Sequence, residues 1–252
     1  MAAQEPVLRT EALSRKFGAL QVTRDVNLSL PRGGRHALIG PNGAGKTTLI
    51  NLITGQLKPD NGRILLEGAD VTSKPVAARV RAGLTRTFQI NTLFPDLTPI
   101  EAVTLAVAER ENIAGQFWRQ LASQDEAIAE AHDVLNTLGL ADVETRPTRT
   151  LAYGQQRLLE IALSLATRPK VLLLDEPAAG VPKDESAALF RVIEGLPADI
   201  SVLFIEHDMD IVFKFATRIV VLVAGGILME GTPEEVRTDP RVREVYLGKG
   251  HS

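Results

Sequence analysis

Short hydrophobic runs along the chain predict the strands of a buried sheet. Four runs stand out because glycine, proline or charged residues bound them: residues 36–39 (HALI), 83–88 (GLTRTF), 171–174 (VLLL) and 201–205 (SVLFI). Runs of this length suit strands that are buried on both faces of a parallel sheet, although periodicity alone does not exclude helix.

Helical patterns separate these runs. Apolar residues recur at spacings of three and four in residues 128–138 and 157–166, and residues 46–54 follow a glycine-rich turn. Alternating strands and helices predict βαβ units and one mostly parallel sheet. Residues 28–30 and 63–68 have Gly and Asn turns between them, which indicates antiparallel strands packed against the core.

The remaining segments complete a single predicted domain over residues 1–252. Residues from about 92 to 160 have an almost wholly helical pattern, so we expect a helical subdomain inserted into the sheet domain. The turn-rich, polar residues from about 231 to 252 predict a short helical tail. The expected fold class is therefore α/β, with an N-terminal antiparallel β subdomain and an inserted helical subdomain.

Composition excludes several classes of protein. The 252 residues carry 28 Lys and Arg against 31 Asp and Glu, so the formal net charge of −3 gives no basic footprint for nucleic acid or anionic lipid. The absence of cysteine excludes disulfides and thiolate metal sites. The longest apolar stretch, Ile219 to Leu228, is cut by Gly225 and Gly226, and no signal core is visible. We expect a soluble protein of a reducing compartment.

The segment GPNGAGKT, residues 40–47, fits the phosphate-loop pattern G-x-x-x-x-G-K-[ST] between a predicted strand and a predicted helix. Its glycines allow backbone N–H groups to surround a polyphosphate, and the helix start favours an anion. Lys46 would reach the β- and γ-phosphates, and the Thr47 hydroxyl would ligate Mg²⁺. The candidate nucleotide-binding residues are Gly40, Pro41, Asn42, Gly43, Ala44, Gly45, Lys46, Thr47 and Thr48. The fold is therefore expected to have a P-loop NTPase core that binds ATP and Mg²⁺.

Two carboxylates, Asp175 and Glu176, follow the hydrophobic run VLLL. Adjacent carboxylates at the end of a buried strand are costly unless a cation or hydrogen bonds satisfy them. Asp175 is a candidate Mg²⁺ ligand, and Glu176 is a candidate general base for an attacking water. The alternative is that both carboxylates only begin a solvated turn before Pro177.

His207 and Gln89 are the other candidate catalytic residues, because each follows a predicted strand. Ligands of open α/β sheets bind beyond the carboxyl ends of the strands, where Gly40 and Asp175 are also expected. His207 and Gln89 could sense or orient the γ-phosphate, the Mg²⁺ and the attacking water. The alternative for His207 is a purely structural histidine.

The segment LAYGQQRLLEIALSLATRP, residues 151–169, resembles the signature loop of the ATP-binding cassette (ABC) family, whose common form is LSGGQ. The order of phosphate loop, Gln89, signature loop, carboxylate pair and His207 is also similar to that family, from Phe17 to the tail. The resemblance implies that Tyr153, Gly154 and Gln155 contact nucleotide, with Gly154 at the start of a helix predicted over residues 155–167. It also implies that Phe17 stacks on adenine, against the alternative of a core phenylalanine.

Several segments resemble the ATPases of branched-chain amino acid importers in particular. They are LAYGQQR, TFQ, LFPDLT, the AAG after the DEP triplet, IEHDM and the ending GTPEEVRTDPRVREVYLG. The resemblance implies an ATPase on the inner face of the cell membrane, in the cytoplasm. It further implies a second ATPase subunit, membrane permease subunits and, indirectly, a substrate-binding protein as partners, with no nucleic acid.

The sequence departs from the common family pattern at two places. Ala152 replaces the signature serine and Tyr153 replaces its first glycine, and the loop after the DEP triplet has Val181 where an aspartate is common. Three other functions remain as alternatives: an ABC importer ATPase for another small organic solute, a soluble ABC ATPase in translation or DNA repair, and a monomeric P-loop kinase or GTPase. The signature loop counts against the last of these, and the guanine-reading NKxD sequence is absent.

Overall fold

A computed structural model describes residues 5–87, 93–111 and 120–247 of the chain. The chain divides into two compact units, which we call the sheet unit and the helical unit. The sheet unit comprises residues 1–84, 170–177 and 197–252, and the helical unit comprises residues 85–169 and 178–196. The segment from about 92 to 160, predicted to be a helical lobe, lies within the helical unit.

An antiparallel sheet lies in the N-terminal part of the sheet unit. Its strand order is β2-β1-β5-β6, and β3 also pairs with β1. The strands are β1 (Leu8–Phe17), β2 (Leu20–Val26), β3 (Ser29–Leu30), β5 (Asn61–Leu66) and β6 (Ala69–Asp70). The antiparallel strands predicted at residues 28–30 and 63–68 are β3 and β5, whereas β1 and β2 carry no long apolar run and were not predicted.

The second sheet has the strand order β11-β10-β4-β9-β8-β7. Its strands are β4 (Arg35–Ile39), β7 (Leu84–Arg86), β8 (Val171–Asp175), β9 (Ser201–Ile205), β10 (Arg218–Val223) and β11 (Gly226–Gly231). Neighbouring strands from β10 through β4 and β9 to β8 are parallel, and β11 pairs antiparallel with β10. The mostly parallel sheet predicted from the four hydrophobic runs is confirmed, although the run at 83–88 forms only a short strand.

The helices connect these strands and build the helical unit. They are α1 (Lys46–Thr54), α2 (Val76–Arg81), α3 (Pro99–Arg110), α4 (Gln120–Thr137), α5 (Tyr153–Leu165), α6 (Lys183–Glu194), α7 (Met209–Phe215), α8 (Pro233–Thr238) and α9 (Pro240–Leu247). Helix α1 has the predicted bounds. Helix α4 begins eight residues before the predicted 128–138, because its first turns consist mainly of Ala, Gln, Glu and other residues that lack an apolar period.

Each unit has its own hydrophobic core. In the sheet unit, side chains from α1 and from both sheets form one cluster, which includes Leu13, Leu49, Ile64, Leu173 and Leu203. In the helical unit, α3, α4 and α5 contact one another, with Val107, Leu135 and Leu159 buried. None of the helices that the structure describes is long and apolar enough to cross a membrane.

His36 is buried in β4, immediately before the phosphate loop, and only 1% of it is exposed. Burial, together with the charge of Arg218 in the neighbouring strand, lowers the pKa of His36 to about 4. The folded protein therefore resists protonation of His36, whereas the unfolded chain accepts the proton below its ordinary pKa of about 6.5. His36 should make the fold lose stability as the pH falls from about 6.5 to 4.

Replacement His36→Leu should remove this acid sensitivity. Wild-type protein should lose up to about 3 kcal/mol more unfolding free energy than the variant between pH 7 and pH 4, because one pKa unit corresponds to about 1.4 kcal/mol. Urea unfolding of both proteins across this pH range measures the difference. Parallel pH profiles for the two proteins would contradict a buried, uncharged His36.

Candidate functional site

The loop between β4 and α1, residues 40–45, bends through two glycines in the left-handed region. Gly43 has φ +78° and Gly45 has φ +100°. A Cβ atom at Gly45 would lie 2.5 Å from the carbonyl oxygen of Val22, so only glycine fits there. Helix α1 begins directly afterwards at Lys46. Because the first N–H groups of a helix lack intrahelical partners, the loop and helix start form a cradle suited to an anion.

The turn between β10 and β11 supports this loop. The N–H of Gly225 donates to the carbonyl oxygen of Ala44 at 3.0 Å, and the Gly225 carbonyl oxygen accepts from the N–H of Arg24 at 2.7 Å. A Cβ atom at Gly40 would lie 2.2 Å from the carbonyl oxygen of Leu222. This support was not predicted from the sequence, although a Gly-Gly pair inside an apolar stretch is a typical turn signal.

The opposite end of α1 is held by a buried arginine. Arg79 is only 1% exposed, and its guanidinium donates to the carbonyl oxygens of Leu52 at 2.8 Å and Ile53 at 2.6 Å. The last carbonyl groups of a helix have no intrahelical donor, so these bonds satisfy two of them. Helix α1 is therefore fixed at its C-terminal end as well as at the phosphate loop.

Lys46 lies under the loop with its side chain buried. Its Nζ donates to the carbonyl oxygens of Gly40 at 2.7 Å and Pro41 at 3.2 Å. Burial lowers the pKa of Lys46, and the charges of Glu176 and Asp175 oppose part of that shift. The ammonium group and the two carboxylates therefore act on one another within the sheet unit.

The carboxylate pair lies where β8 ends. Asp175 is the last residue of β8 and pairs with Ile205 of β9, and the N–H of Glu176 donates to the Ile205 carbonyl oxygen at 3.0 Å. Glu176 has φ +50°, a left-handed conformation that costs a residue other than glycine about 1–3 kcal/mol. Its side chain is 44% exposed, so water can reach the carboxylate.

His207 follows β9 and contacts Glu176. Its Nε2 lies 2.8 Å from Oε1 of Glu176, and its backbone N–H donates to the buried Glu206 carboxylate at 3.1 Å. The next residue, Asp208, caps α7 by accepting from the N–H of Asp210 at 2.9 Å. His207 is thus fixed between the end of β9 and the start of α7, and its ring contacts the Glu176 carboxylate.

Phe17 ends β1 and is 44% exposed, so it is not a core phenylalanine. The guanidinium carbon of Arg15 lies 5.1 Å from the centre of its ring. The strand after it, β2, contributes the Val22 carbonyl that lies against Gly45. Phe17 therefore presents an aromatic face at the end of the hairpin that borders the loop. Gln89 lies outside the described residues.

The predicted signature segment is at the start of α5 in the helical unit. The sequence predicted a helix from Gln155, which is wrong by two residues: α5 begins at Tyr153, with Ala152 as its N-cap. The Gln155 side chain explains the earlier start, because its Oε1 accepts from the Ala152 N–H at 3.0 Å. Gly154 is thus the second residue of the helix, and a Cβ atom there would lie 3.1 Å from a carboxylate oxygen of Glu185.

Metal-ligating side chains are few at the site. In residues 5–87, 93–111 and 120–247, no group of three or more His, Asp or Glu side chains is arranged to hold a metal ion. Thr47 is exposed at the second position of α1, and Asp175 is partly buried. A hydroxyl and a carboxylate are the hard oxygen donors that Mg²⁺ accepts when substrate phosphates and water complete its shell, so the residues present fit a magnesium–nucleotide complex.

Comparison with known families gives two matches. Residues 23–179 match the ABC transporter family, and residues 227–252 match the branched-chain amino acid ATP-binding cassette transporter C-terminal family. The first match covers more than half of the chain.

Individual relatives are similar over nearly the whole chain. The high-affinity branched-chain amino acid transport ATP-binding protein BraF of Pseudomonas aeruginosa is 40% identical, over 97% of this chain and 98% of BraF. The corresponding protein LivG of Escherichia coli K12 is 39% identical, over 97% of this chain and 99% of LivG. The crystal structure of the ADP conformation of MJ1267, an ATP-binding cassette of an ABC transporter, has a TM-score of 0.84 at 34% identity. It covers 96% of this chain and 99% of that one.

Proposed function

The chain belongs to the ABC transporter family of ATP-binding proteins, and from this membership we propose that it hydrolyses ATP to power the import of branched-chain amino acids. The observation that carries the proposal is a cluster of three side chains beyond the carboxyl ends of β4, β8 and β9. The charge of Glu176 acts on Lys46, and the His207 ring contacts Glu176 at 2.8 Å. Relatives named as branched-chain amino acid transport ATP-binding proteins match about 97% of the chain. Membership of this family also removes the alternative of a monomeric P-loop kinase or GTPase.

The phosphate loop binds the nucleotide. The backbone N–H groups of residues 42–48 and the Lys46 ammonium surround the β- and γ-phosphates, because charge-assisted hydrogen bonds to phosphate are among the strongest available. Phe17 offers its exposed ring to the adenine. The proposed ligands of Mg²⁺ are Thr47, Asp175 and Gln89. The ion would neutralise charge at the phosphates.

Glu176 is the proposed general base. Its carboxylate is accessible to water, and its Oε1 accepts a hydrogen bond from Nε2 of the His207 ring at 2.8 Å. His207 fixes the orientation of the carboxylate and senses the γ-phosphate when ATP is bound. The strained backbone of Glu176 agrees with a functional position, because such conformations cluster at active sites.

A second ATPase subunit completes the site. Tyr153, Gly154 and Gln155 lie at the N-terminus of α5, where unpaired N–H groups favour an anion. We place this helix start against the γ-phosphate that the partner subunit binds. The partner is a second copy of this chain or a related ATPase, and membrane permease subunits carry the solute, which a substrate-binding protein delivers. We therefore propose that the chain is a peripheral cytoplasmic subunit on the inner face of the cell membrane.

ATP should therefore bring two subunits together when hydrolysis is blocked. We expect Glu176→Gln protein to associate on addition of MgATP, alone or with a related ATPase, because trapped ATP bridges the two subunits. Light scattering after size-exclusion chromatography measures the association. The double variant Lys46→Ala/Glu176→Gln is the matched control and should stay monomeric. A Glu176→Gln subunit that remains monomeric with MgATP, even with the permease and the related ATPase present, would contradict a shared site.

The solute is tested with the purified membrane complex. ATP hydrolysis in liposomes should rise when a binding protein loaded with leucine, isoleucine or valine is added. Other small polar or aromatic solutes, tested in the same way, form the comparison panel. If only one of those other solutes stimulates hydrolysis, that solute replaces the branched-chain amino acids as the proposed cargo. If the chain never associates with a membrane complex, a soluble ABC ATPase of translation or DNA repair is favoured.

A further inference from the structure

Tyr153 connects the start of α5 to the segment after the carboxylate pair. Its hydroxyl donates to the carbonyl oxygen of Ala179 at 3.1 Å, within the helical unit. Ala179 follows Glu176 by three residues in the chain. The side chain of Tyr153 is 40% exposed, so burial in a core does not account for this placement.

Arg157 strengthens the same connection. One of its amino groups donates to the Tyr153 hydroxyl at 3.2 Å and to the Ala179 carbonyl oxygen at 3.3 Å, and its guanidinium carbon lies 5.4 Å from the centre of the Tyr153 ring. The other amino group donates to Glu160 at 3.0 Å, and Glu160 is only 3% exposed. Residues at spacings of four and three share one face of a helix, so Tyr153, Arg157 and Glu160 form a continuous row.

The position of Gly180 shows how closely residues 178–180 pack against the Tyr153 side chain. It has φ +79°, and a Cβ atom at this position would lie 2.9 Å from the Tyr153 hydroxyl oxygen. A side chain at residue 180 would therefore displace either the segment or the tyrosine ring. The common LSGGQ form has glycine at the position of Tyr153 and could not make these contacts.

Glu176 needs support on both sides of its strained backbone. On the amino side, β8 pairs with β9 and the Glu176 N–H donates to the Ile205 carbonyl oxygen. A strained conformation persists only where its surroundings hold it. On the C-terminal side of Glu176, the chain is held three residues later, where the Ala179 carbonyl oxygen accepts hydrogen bonds from Tyr153 and Arg157.

We propose that Tyr153 is a positioning residue for ATP hydrolysis, which with Arg157 fixes residues 178–180 and thereby the chain that leaves Glu176. The proposal rests on the assignment of Glu176 as the base. The Tyr153 hydroxyl itself bonds to the Ala179 carbonyl oxygen, and the start of α5 meets the partner's nucleotide through backbone N–H groups, so loss of the hydroxyl should slow turnover without weakening ATP binding.

Replacement Tyr153→Phe tests the proposal in the full chain assembled with its permease. The variant keeps the ring and loses the hydroxyl, so kcat should fall about fivefold while KM and the Kd for ATP stay unchanged, as expected for one hydrogen bond. Hydrogen exchange of the amides in residues 177–182 should become faster. Thr137→Val is the matched control, because it also removes a hydroxyl-to-carbonyl bond in the helical unit, at 2.8 Å to Asp133, and should change neither quantity. Assays at pH 8 keep Glu160 ionised, since burial raises its pKa to about 7.

A second pair of variants tests whether the effects of substitutions at residues 153 and 180 depend on each other. Gly180→Ala should slow turnover in the wild-type background, where the new methyl group meets the Tyr153 ring, and should have a smaller effect in Tyr153→Ala protein. Additive effects would overturn the proposal, and so would unchanged kcat and exchange in Tyr153→Phe. A weakened ATP affinity in Tyr153→Phe would overturn the proposal by making the Tyr153 hydroxyl a nucleotide contact. If wild-type protein does not hydrolyse ATP, the proposed function fails, while faster exchange at residues 177–182 still reports the contact.

Discussion

Replacement Glu176→Gln should reduce ATP turnover by about 10²- to 10⁴-fold and leave ATP affinity unchanged. The amide keeps the shape of the side chain and loses its basicity, and a general base typically contributes a factor of this size. The structure makes Glu176 the candidate, because it leaves β8 with an exposed carboxylate 2.8 Å from the His207 ring and within the electrostatic influence of Lys46. Phosphate release measures turnover, and equilibrium titration with ATP measures affinity.

Glu194→Gln is the matched control for this prediction. Glu194 ends α6 and is exposed, so the same chemical change there should leave turnover at the wild-type rate. Turnover of Glu176→Gln within about tenfold of wild type would assign water activation to another group. A large loss of ATP affinity would instead make Glu176 part of nucleotide binding.

Replacement Lys46→Ala should weaken ATP binding by about 10- to 100-fold, which corresponds to the loss of charge-assisted hydrogen bonds worth about 1.5–3 kcal/mol. Lys46 is the only lysine or arginine in the loop and helix of residues 40–54, and its ammonium already lies beneath the loop carbonyls. Burial lowers its pKa, so anionic phosphates are the partners that best compensate the buried charge.

The exposed Lys58 provides the comparison for Lys46. Lys58→Ala removes a positive charge of the sheet unit outside the phosphate loop and should leave the Kd for ATP unchanged. Titration with ATP measures both variants, and thermal unfolding verifies that each is folded. Equal ATP affinity in Lys46→Ala and wild-type protein would contradict the assignment of the phosphate loop.

The strand-end residues of the site could be predicted from the sequence because short buried runs locate the strands. Gly40, Asp175 and His207 each come at or just after the last residue of such a run, and a parallel sheet brings those ends to one edge. Local pattern and fold topology are sufficient for this inference. The same rule does not reveal whether two side chains touch, so the 2.8 Å contact of His207 with Glu176 required the structure.

Other parts of the site depend on contacts between distant segments, which no local pattern encodes. The Gly225 turn supports Ala44 from 181 positions away, and the sequence showed only an interrupted apolar stretch. The earlier start of α5 depends on the Gln155 side chain bonding back to Ala152, because alanine at the N-cap cannot accept the usual capping bond. The contact of Tyr153 with Ala179 joins two segments that the buried strand β8 separates in the chain.

The decisive measurement for ATP-driven import is the uptake of labelled leucine by liposomes that contain the purified membrane complex. With the binding protein outside and MgATP inside, on the side of the ATPase subunits, the wild-type complex should accumulate leucine while it releases phosphate. The same complex carrying Glu176→Gln should do neither. Leucine accumulation by the Glu176→Gln complex at the wild-type rate would contradict the account, as would vigorous ATP hydrolysis by the wild-type complex with no uptake of any branched-chain amino acid.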